Sequence, residues 1–353
     1  MALFEVTDYD KKVWEEELKD FLPQKIIDIH THVYKSSNCD PTPANEVKRT
    51  VSWTATVAKD NPIEDLQETY HLMFPGKDVK AMMFISGTGS GIDKNNVYLS
   101  GVSKQIGWPA LYYSLPTQSA DELEAKIREG GFLGVKSYLS RSPSYIPRKE
   151  IRIFDFFPKH QLERLNEMGA ICMCHVPRDG RLKDQVNIQQ ILEIRREFPK
   201  LRLIVAHIGR AYSEEDVADA FDYLTAEPET MYDFSANCCD YAIAEVIKRC
   251  GVKHVMFGTD MPILRMRTHR IIENGTYVNL VPPGMYHDPL GDPHLREVSE
   301  EEAKTITFFA YEELLAFKRV AKALGLTKQD VEDIMYNNAN DLIEGARRDI
   351  YGK

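Results

Sequence analysis

Four histidines and an aspartate carry the chemistry this chain is built to do: His30 and His32 in KIIDIHTH, His175 in AICMCHV, His207 in RLIVAHIG and Asp260 in HVMFGTD. Each closes a short apolar run. Two imidazoles at i and i+2 of a strand point to the same side, so His30 and His32 can approach one cation from one direction. The pair alone is a weak signal, but His or Asp recurring at the ends of three further runs makes convergence on a divalent ion the economical reading. Imidazoles plus a carboxylate, with a coordination position left open, suit Zn²⁺ or Mn²⁺. Such an ion polarises a carbonyl oxygen and brings the pKa of bound water toward ~7. Asp260 is then expected to be both ligand and general base.

Residues so far apart in sequence need a scaffold that gathers them. Eight apolar runs bounded by turn residues follow one another at 25–32, 79–86, 109–116, 133–139, 170–176, 202–209, 230–237 and 254–260. They are continuous rather than alternating, the pattern of parallel strands covered on both faces. Helical patterns fill most gaps, at 119–130, 156–169, 187–200, 213–227 and 241–251. The alternation predicts an α/β fold, a closed (β/α)8 barrel of the TIM type, with its chemistry at the C-terminal strand ends. All five residues fall there. A single barrel domain over 1–353 is compatible with the length.

Three stretches exceed a minimal barrel. Residues 1–24 predict an amphipathic helix before the first strand, a plug or an oligomer contact. The connection 33–78 is long and holds a helix around 65–74, a candidate specificity loop. The insertion 261–300, rich in Pro, Gly and Asn, reads as a lid, a surface excursion or a subunit contact, ahead of helices at 301–324 and 327–345.

Composition narrows the partners. A net charge of -10 argues against a nucleic-acid surface, which needs clustered Lys and Arg. No apolar stretch approaches the ~20 residues of a membrane span, and the N-terminus lacks the pattern of a secretion signal. A cytoplasmic enzyme acting on a small molecule is expected. The six cysteines read as reduced thiols; Cys174 leads into His175 but points to the opposite face of the strand, so a zinc role for it is not expected.

The segments IDIHTH, CHVP, VAHIG and FGTDMP, in this order and at these strand ends, resemble the amidohydrolase superfamily. They are most similar to its amidohydrolase-related branch, which includes aminocarboxymuconate-semialdehyde decarboxylase-like and resorcylate decarboxylase-like enzymes alongside lactonases. The resemblance spans residues 25 to about 262, and YNNANDLI (336–343) is similar to that branch's closing G-N-A-x-x-L helix, with Asn337 in place of the Gly. It implies that His30, His32, His175 and Asp260 hold the metal and that His207 polarises water or substrate, or ligates as in some branches. One zinc ion is implied, with manganese as the alternative, or two ions if Lys136 in GVKSYL carries a carboxylate bridge. Pairing into homodimers is also implied by the resemblance.

Left unmodified, Lys136 is a cation for a substrate carboxylate. Arg178, Arg210 and Arg265 follow the strand ends, as do Arg267 and His269, and suggest an anionic substrate because guanidinium pairs bidentately with carboxylate. Tyr138, Tyr212 and Trp53 offer an apolar wall, while His287 and His294 lie off the strand-end pattern. The expected reaction is hydrolysis of a lactone, amide or related carbonyl compound by metal-activated water, with Asp260 moving the proton and His207 steadying the oxyanion. The alternative on the same residues is a non-oxidative decarboxylase or carbon–carbon lyase.

Overall fold

The first apolar run becomes a strand of the same length, and the others become strands shorter than the runs themselves. In the computed structural model, which describes residues 3–39, 54–86, 91–225, 229–286 and 291–352, β1 is Lys25–His32, β2 Asp78–Phe84, β3 Tyr112–Tyr113 and β4 Gly134–Lys136. They are followed by β5 Ile171–Cys174, β6 Arg202–Val205, β7 Thr230–Asp233 and β8 Val255–Met256. β1 and β2 pair in parallel, and β3 through β8 form a six-stranded parallel sheet in sequence order. Backbone hydrogen bonds join the two sheets at both seams. Leu111 N–H donates to Met83 O at 2.8 Å between β2 and β3; Ile29 N–H reaches Phe257 O at 3.0 Å and Asp260 N–H reaches His30 O at 2.7 Å between β1 and the segment after β8. The eight strands thus close into the barrel that the alternation predicts.

The filling is apolar and dense. Phe84, Tyr113, Tyr232, Phe234 and Phe257 are fully buried, and one hydrophobic cluster runs from Val13 to Ile350. Most of the predicted helices are present, at Ala120–Gly130, Lys159–Glu167, Gln185–Glu197 and Asp240–Cys250. The helix read over 213–227 is instead two short turns, Glu214–Val217 and Ala220–Tyr223, because Ala218 takes a left-handed conformation (φ 43) that ends the first. Among the described residues no helix is long and apolar enough to cross a membrane.

The N-terminal helix Asp8–Val13 starts with a Thr7/Asp10 capping box and continues through one wide turn, Trp14–Leu18. Trp14 packs between Phe74 and Tyr311. Asp10 is fully buried and takes Arg267 Nη1 at 3.0 Å and Nη2 at 2.6 Å, together with the Thr307 hydroxyl at 2.7 Å.

The insertion after β8 is a small sheet rather than an irregular excursion. β9 (His269–Glu273) and β10 (Thr276–Val281) form a hairpin, and β11 (Leu295–Glu297) adds to β10 in parallel. Asn274 and Gly275 both have positive φ, 51 and 75, as a two-residue turn between antiparallel strands requires. Arg270 fastens the hairpin to the barrel rim. Its guanidinium lies 4.3 Å from the ring centres of Tyr277 and Phe309 and 5.2 Å from that of Tyr212, and it donates to Ala236 O at 2.6 Å. The Ser213 hydroxyl holds the hairpin turn at Gly275 O. Trp53, His287 and residues 40–53 of the connection after β1 lie outside the described residues.

Candidate metal centre

The rule of one residue per strand end brings the predicted side chains together. His30 and His32 leave β1 on one face; His175 follows β5, His207 follows β6, Asp260 follows β8, and Lys136 ends β4. The ligating atoms of His30, His207 and Asp260 lie within 4.8 Å of one another. His32 joins them through Nε2, 3.0 Å from Asp260 Oδ1, and His30 Nε2 approaches the same oxygen at 3.5 Å. His175 stands on the flank, its ring 5.3 Å from that of His207 and 4.7 Å from that of Tyr138. The tightest group therefore contains His207 where the resemblance places His175.

Every one of the four histidines has its Nδ1 engaged by an oxygen. His30 Nδ1 faces Asp233 Oδ2 at 3.1 Å, His32 the carbonyl of Ile85 at 3.0 Å, His175 the carbonyl of Val176 at 3.1 Å and His207 the carbonyl of Ser235 at 3.0 Å. A nitrogen facing a carbonyl or carboxylate must carry hydrogen, which leaves Nε2 as the atom with a free lone pair. In His30 and His32 that Nε2 faces the Asp260 carboxylate, so both ring nitrogens look at acceptors. A cation between Nε2 and Oδ1 satisfies that pattern, and the donor set of neutral imidazoles and one carboxylate suits Zn²⁺ or Mn²⁺. The residues present fit a divalent ion.

Electrostatics point the same way. Burial pushes the His30 imidazolium down to about 4, against the pull of Asp233, with Lys136 and His207 adding to the fall. Burial likewise lowers His207 and lowers His175 well below the ordinary range, the latter helped by Arg210. Burial works to raise the carboxyls, but His32, His30 and His207 outweigh it at Asp260, held at about 2, and His30 and His207 do so at Asp233, held lower still. His30, His175 and His207 thus offer neutral nitrogens beside the ionised carboxylates of Asp233 and Asp260 at neutral pH.

Backbone strain concentrates here as well. His207, Ile208, Gly209 and Arg210 all have positive φ, between 48 and 64, and Asp260 sits at 58. Non-glycine residues held in that region mark places where the surroundings override a local preference. The His207 N–H is held by Asp233 Oδ1 at 3.0 Å and the Asp260 N–H by His30 O.

The predicted cations are distributed unequally. Lys136 is 1% exposed and its Nζ finds no hydrogen-bond partner among the described residues; it lies 5.1 Å from the Phe84 ring centre, with Asp233 and Asp260 as the nearest opposing charges. Arg210 is half-buried beside His175, Tyr138 and Tyr212, whose titration its charge shifts, and it donates to Arg178 O at 3.1 Å. Arg178 reaches outward to Glu150 O. Arg265 bonds Asn61, which in turn donates to the His32 carbonyl, and lines a cleft with Asp60 and Asp65 that none of the histidines enters. Arg267 is committed to Asp10, and His269 pairs with Glu312 on the surface.

Asp233 and Ser235 escaped the sequence reading. The signal was present: Asp233 ends β7 as the other site residues end theirs, and Ser235 is two positions further along the same face. Tyr212, expected as a wall, stands 6.4 Å from the His207 ring and is flanked by the guanidinium groups of Arg181 and Arg270.

Comparison with known proteins places the fold. No curated protein sequence matches the chain. Its fold matches a 4-oxalomesaconate hydratase from Rhodopseudomonas palustris at a TM-score of 0.52 and 16% identity, over 93% of this chain and 98% of that one. It matches a dihydroxybenzoic acid decarboxylase from Polaromonas sp. JS666, solved with manganese and the inhibitor 2-nitroresorcinol, at 0.53 and 14%, over 93% and 100%. A probable 2-pyrone-4,6-dicarboxylic acid hydrolase from Acinetobacter baumannii, with citric acid bound, matches at 0.53 and 15%, over 90% and 99%. The family model for amidohydrolases matches residues 102–344, from the helix before β3 through the C-terminal helices. On that match, which takes in β3 to β8 and the strand-end residues they carry, the chain belongs to the amidohydrolase family.

Proposed function

We propose that this chain is a metal-dependent hydrolase of a small carboxylate-bearing lactone, amide or related carbonyl compound. The observation that carries the reading is the Lys136 ammonium. It is buried beside the histidine cluster without a hydrogen-bond partner among the described residues, and a charge in that position calls for an anion in the working state. A substrate carboxylate meets the need, with Arg210 half-buried beside the same cluster as a second cation. Tyr138 packs beside His175 and Tyr212 beside His207.

Within this proposal His30, His32, His207 and Asp260 hold the ion, and His175 stands beside them. When bound, a divalent ion supplies Lewis acidity toward a carbonyl or carboxylate oxygen and lowers the pKa of a neighbouring water. Asp260, ionised at neutral pH, takes the proton of the attacking water and returns it to the leaving atom. His207 was expected to steady an oxyanion, which requires a proton on Nε2. Its Nδ1 contact with Ser235 O leaves Nε2 as an acceptor, so the role of ligand suits it better. Lys136 and Arg210 orient the substrate by its carboxylate and bring the reacting carbonyl to Asp260.

The alternative is decarboxylation or carbon–carbon lysis with the same residues, in which Asp260, once it has taken up a proton, delivers it to carbon; the same delivery by His207, the other candidate from sequence, needs a proton on the Nε2 that its Nδ1 contact leaves as an acceptor. It is favoured by the manganese-bound decarboxylase among the structural neighbours. Zinc- or manganese-supplemented protein, incubated separately with simple lactones and with hydroxybenzoates, separates the two. Metal-dependent acid release supports hydrolysis, carbon dioxide release supports the lyase, and protein that takes up no ion refutes both.

A further inference from the structure

We propose that Asp233 and Ser235 act as one positioning unit that sets the tautomer and aim of two metal-binding imidazoles, His30 and His207, without either residue touching the ion. The inference rests on the metal centre of the proposed function and adds to it the reason both imidazoles present the same nitrogen.

Both residues are fully buried, and both oxygens of Asp233 are spoken for. Oδ2 accepts from His30 Nδ1 at 3.1 Å. Oδ1 accepts three donors: the His207 N–H at 3.0 Å, the Ser235 N–H at 3.2 Å and the Ser235 hydroxyl. Because that hydroxyl gives its only proton to Asp233, it can act solely as an acceptor toward His207 Nδ1, 2.8 Å away, in concert with the Ser235 carbonyl at 3.0 Å. Nδ1 of His207 must therefore carry hydrogen. One buried carboxylate thus fixes His30 directly and His207 twice over, through its backbone in a left-handed conformation and through its ring by way of Ser235. This is the arrangement in which an outer carboxylate orients ligating imidazoles, here serving two rings at once.

The unit predicts an asymmetric response to nearly isosteric changes. In Asp233→Asn the three donors converging on Oδ1 keep the oxygen of the amide on their side, so its NH₂ turns toward His30 Nδ1. His30 Nδ1 then faces a donor, with only the longer Ser235 Oγ contact at 3.3 Å left as an acceptor, and the proton shifts to Nε2, where the ring can no longer ligate. In Ser235→Ala the Ser235 carbonyl still holds His207, and His30 keeps its acceptor.

The test uses the full-length chain and needs no substrate. Zn²⁺ and Mn²⁺ affinities are measured by chelator competition for wild type, Asp233→Asn and Ser235→Ala. Circular dichroism melts of the metal-free proteins establish folding, and ¹⁵N-histidine spectra report which ring nitrogen is protonated. A loss of ~10–100-fold for Asp233→Asn, a smaller loss for Ser235→Ala, and a change of tautomer at His30 in the first variant alone are expected. A folded Asp233→Asn protein with wild-type affinity and an unchanged His30 tautomer overturns the inference. If Asp233→Asn does not fold, the metal-free wild-type spectrum decides: hydrogen on Nδ1 of both His30 and His207 supports the unit, and hydrogen on Nε2 of either overturns it. Wild-type protein that binds neither ion would sink the proposed function instead, and the tautomer spectra would still judge the positioning unit.

Discussion

Replacing Lys136 with methionine should make the metal-free protein more stable while removing its grip on anionic ligands. The ammonium is 1% exposed and has no hydrogen-bond partner among the described residues, so it bears the cost of leaving water with only the charges of Asp233 and Asp260 to offset it. A buried group left without a hydrogen bond costs ~1–3 kcal/mol, more when it is charged, a cost the methionine variant does not carry, and the Phe84 ring is already in place to pack against the methionine. Burial lowers the Lys136 pKa below its ordinary value of 10.5. Between the folded pKa and 10.5 the unfolded chain therefore holds more protons than the folded one, and wild-type stability gains a component that rises with pH across that window. The methionine variant lacks that slope, so its advantage is greatest near neutral pH and shrinks toward alkaline pH. Melting temperatures of both proteins at neutral and alkaline pH, in the presence of chelator, measure this directly. Loss of a charge-assisted hydrogen bond, ~1.5–3 kcal/mol, weakens binding of a substrate carboxylate by roughly 10- to 150-fold. A methionine variant that melts below wild type at neutral pH, or an advantage that widens as the pH rises, would refute the reasoning.

Two further substitutions probe the frame around the centre. Among the described residues, Asp10→Ala leaves the buried Arg267 guanidinium with the carbonyls of Glu5 and Ile306 and the Phe308 ring but no opposing charge in contact, and a cost of ~3–5 kcal/mol is expected in chemical denaturation with ion affinity unchanged. Gly258→Ala puts a methyl carbon 2.8 Å from His30 Cβ and 3.3 Å from His30 N; it should cost ~1–3 kcal/mol through overpacking and, unlike Asp10→Ala, should weaken ion binding in chelator competition.

The barrel and its centre were legible because both depend on local pattern. A continuous apolar run ending in His or Asp specifies a buried parallel strand and what it delivers, and the strand-end rule placed His30, His32, His207 and Asp260 together. The same rule passed over Asp233, since a lone carboxylate after TMY looks like a turn residue until the histidine it anchors, 203 positions earlier, is known. Arg265 and Arg267 show the reverse limit. Their sequence position resembles that of Arg210, but what a guanidinium meets depends on elements hundreds of residues away: Asn61 for one, Asp10 for the other. The hairpin in the insertion was readable and missed. RIIENGTYVNLV has the Asn-Gly turn and flanking β-branched residues of a two-residue hairpin, and the Pro, Gly and Asn of the insertion led instead to a lid, a surface excursion or a subunit contact.

The seam between the first strand and the segment after the last has a consequence for how the protein is made. His30 and His32 leave the ribosome before the rest of the site, on a strand whose outer edge stays unpaired until Phe257, Asp260 and Met261 arrive to accept and donate across it. A nascent chain that stops short of those residues already carries all four histidines but neither the Asp260 carboxylate nor the closure that aims the rings. In the proposed site, full ligation of an ion therefore waits for the segment after β8, and until that segment arrives the edge of β1 stays open to other strands.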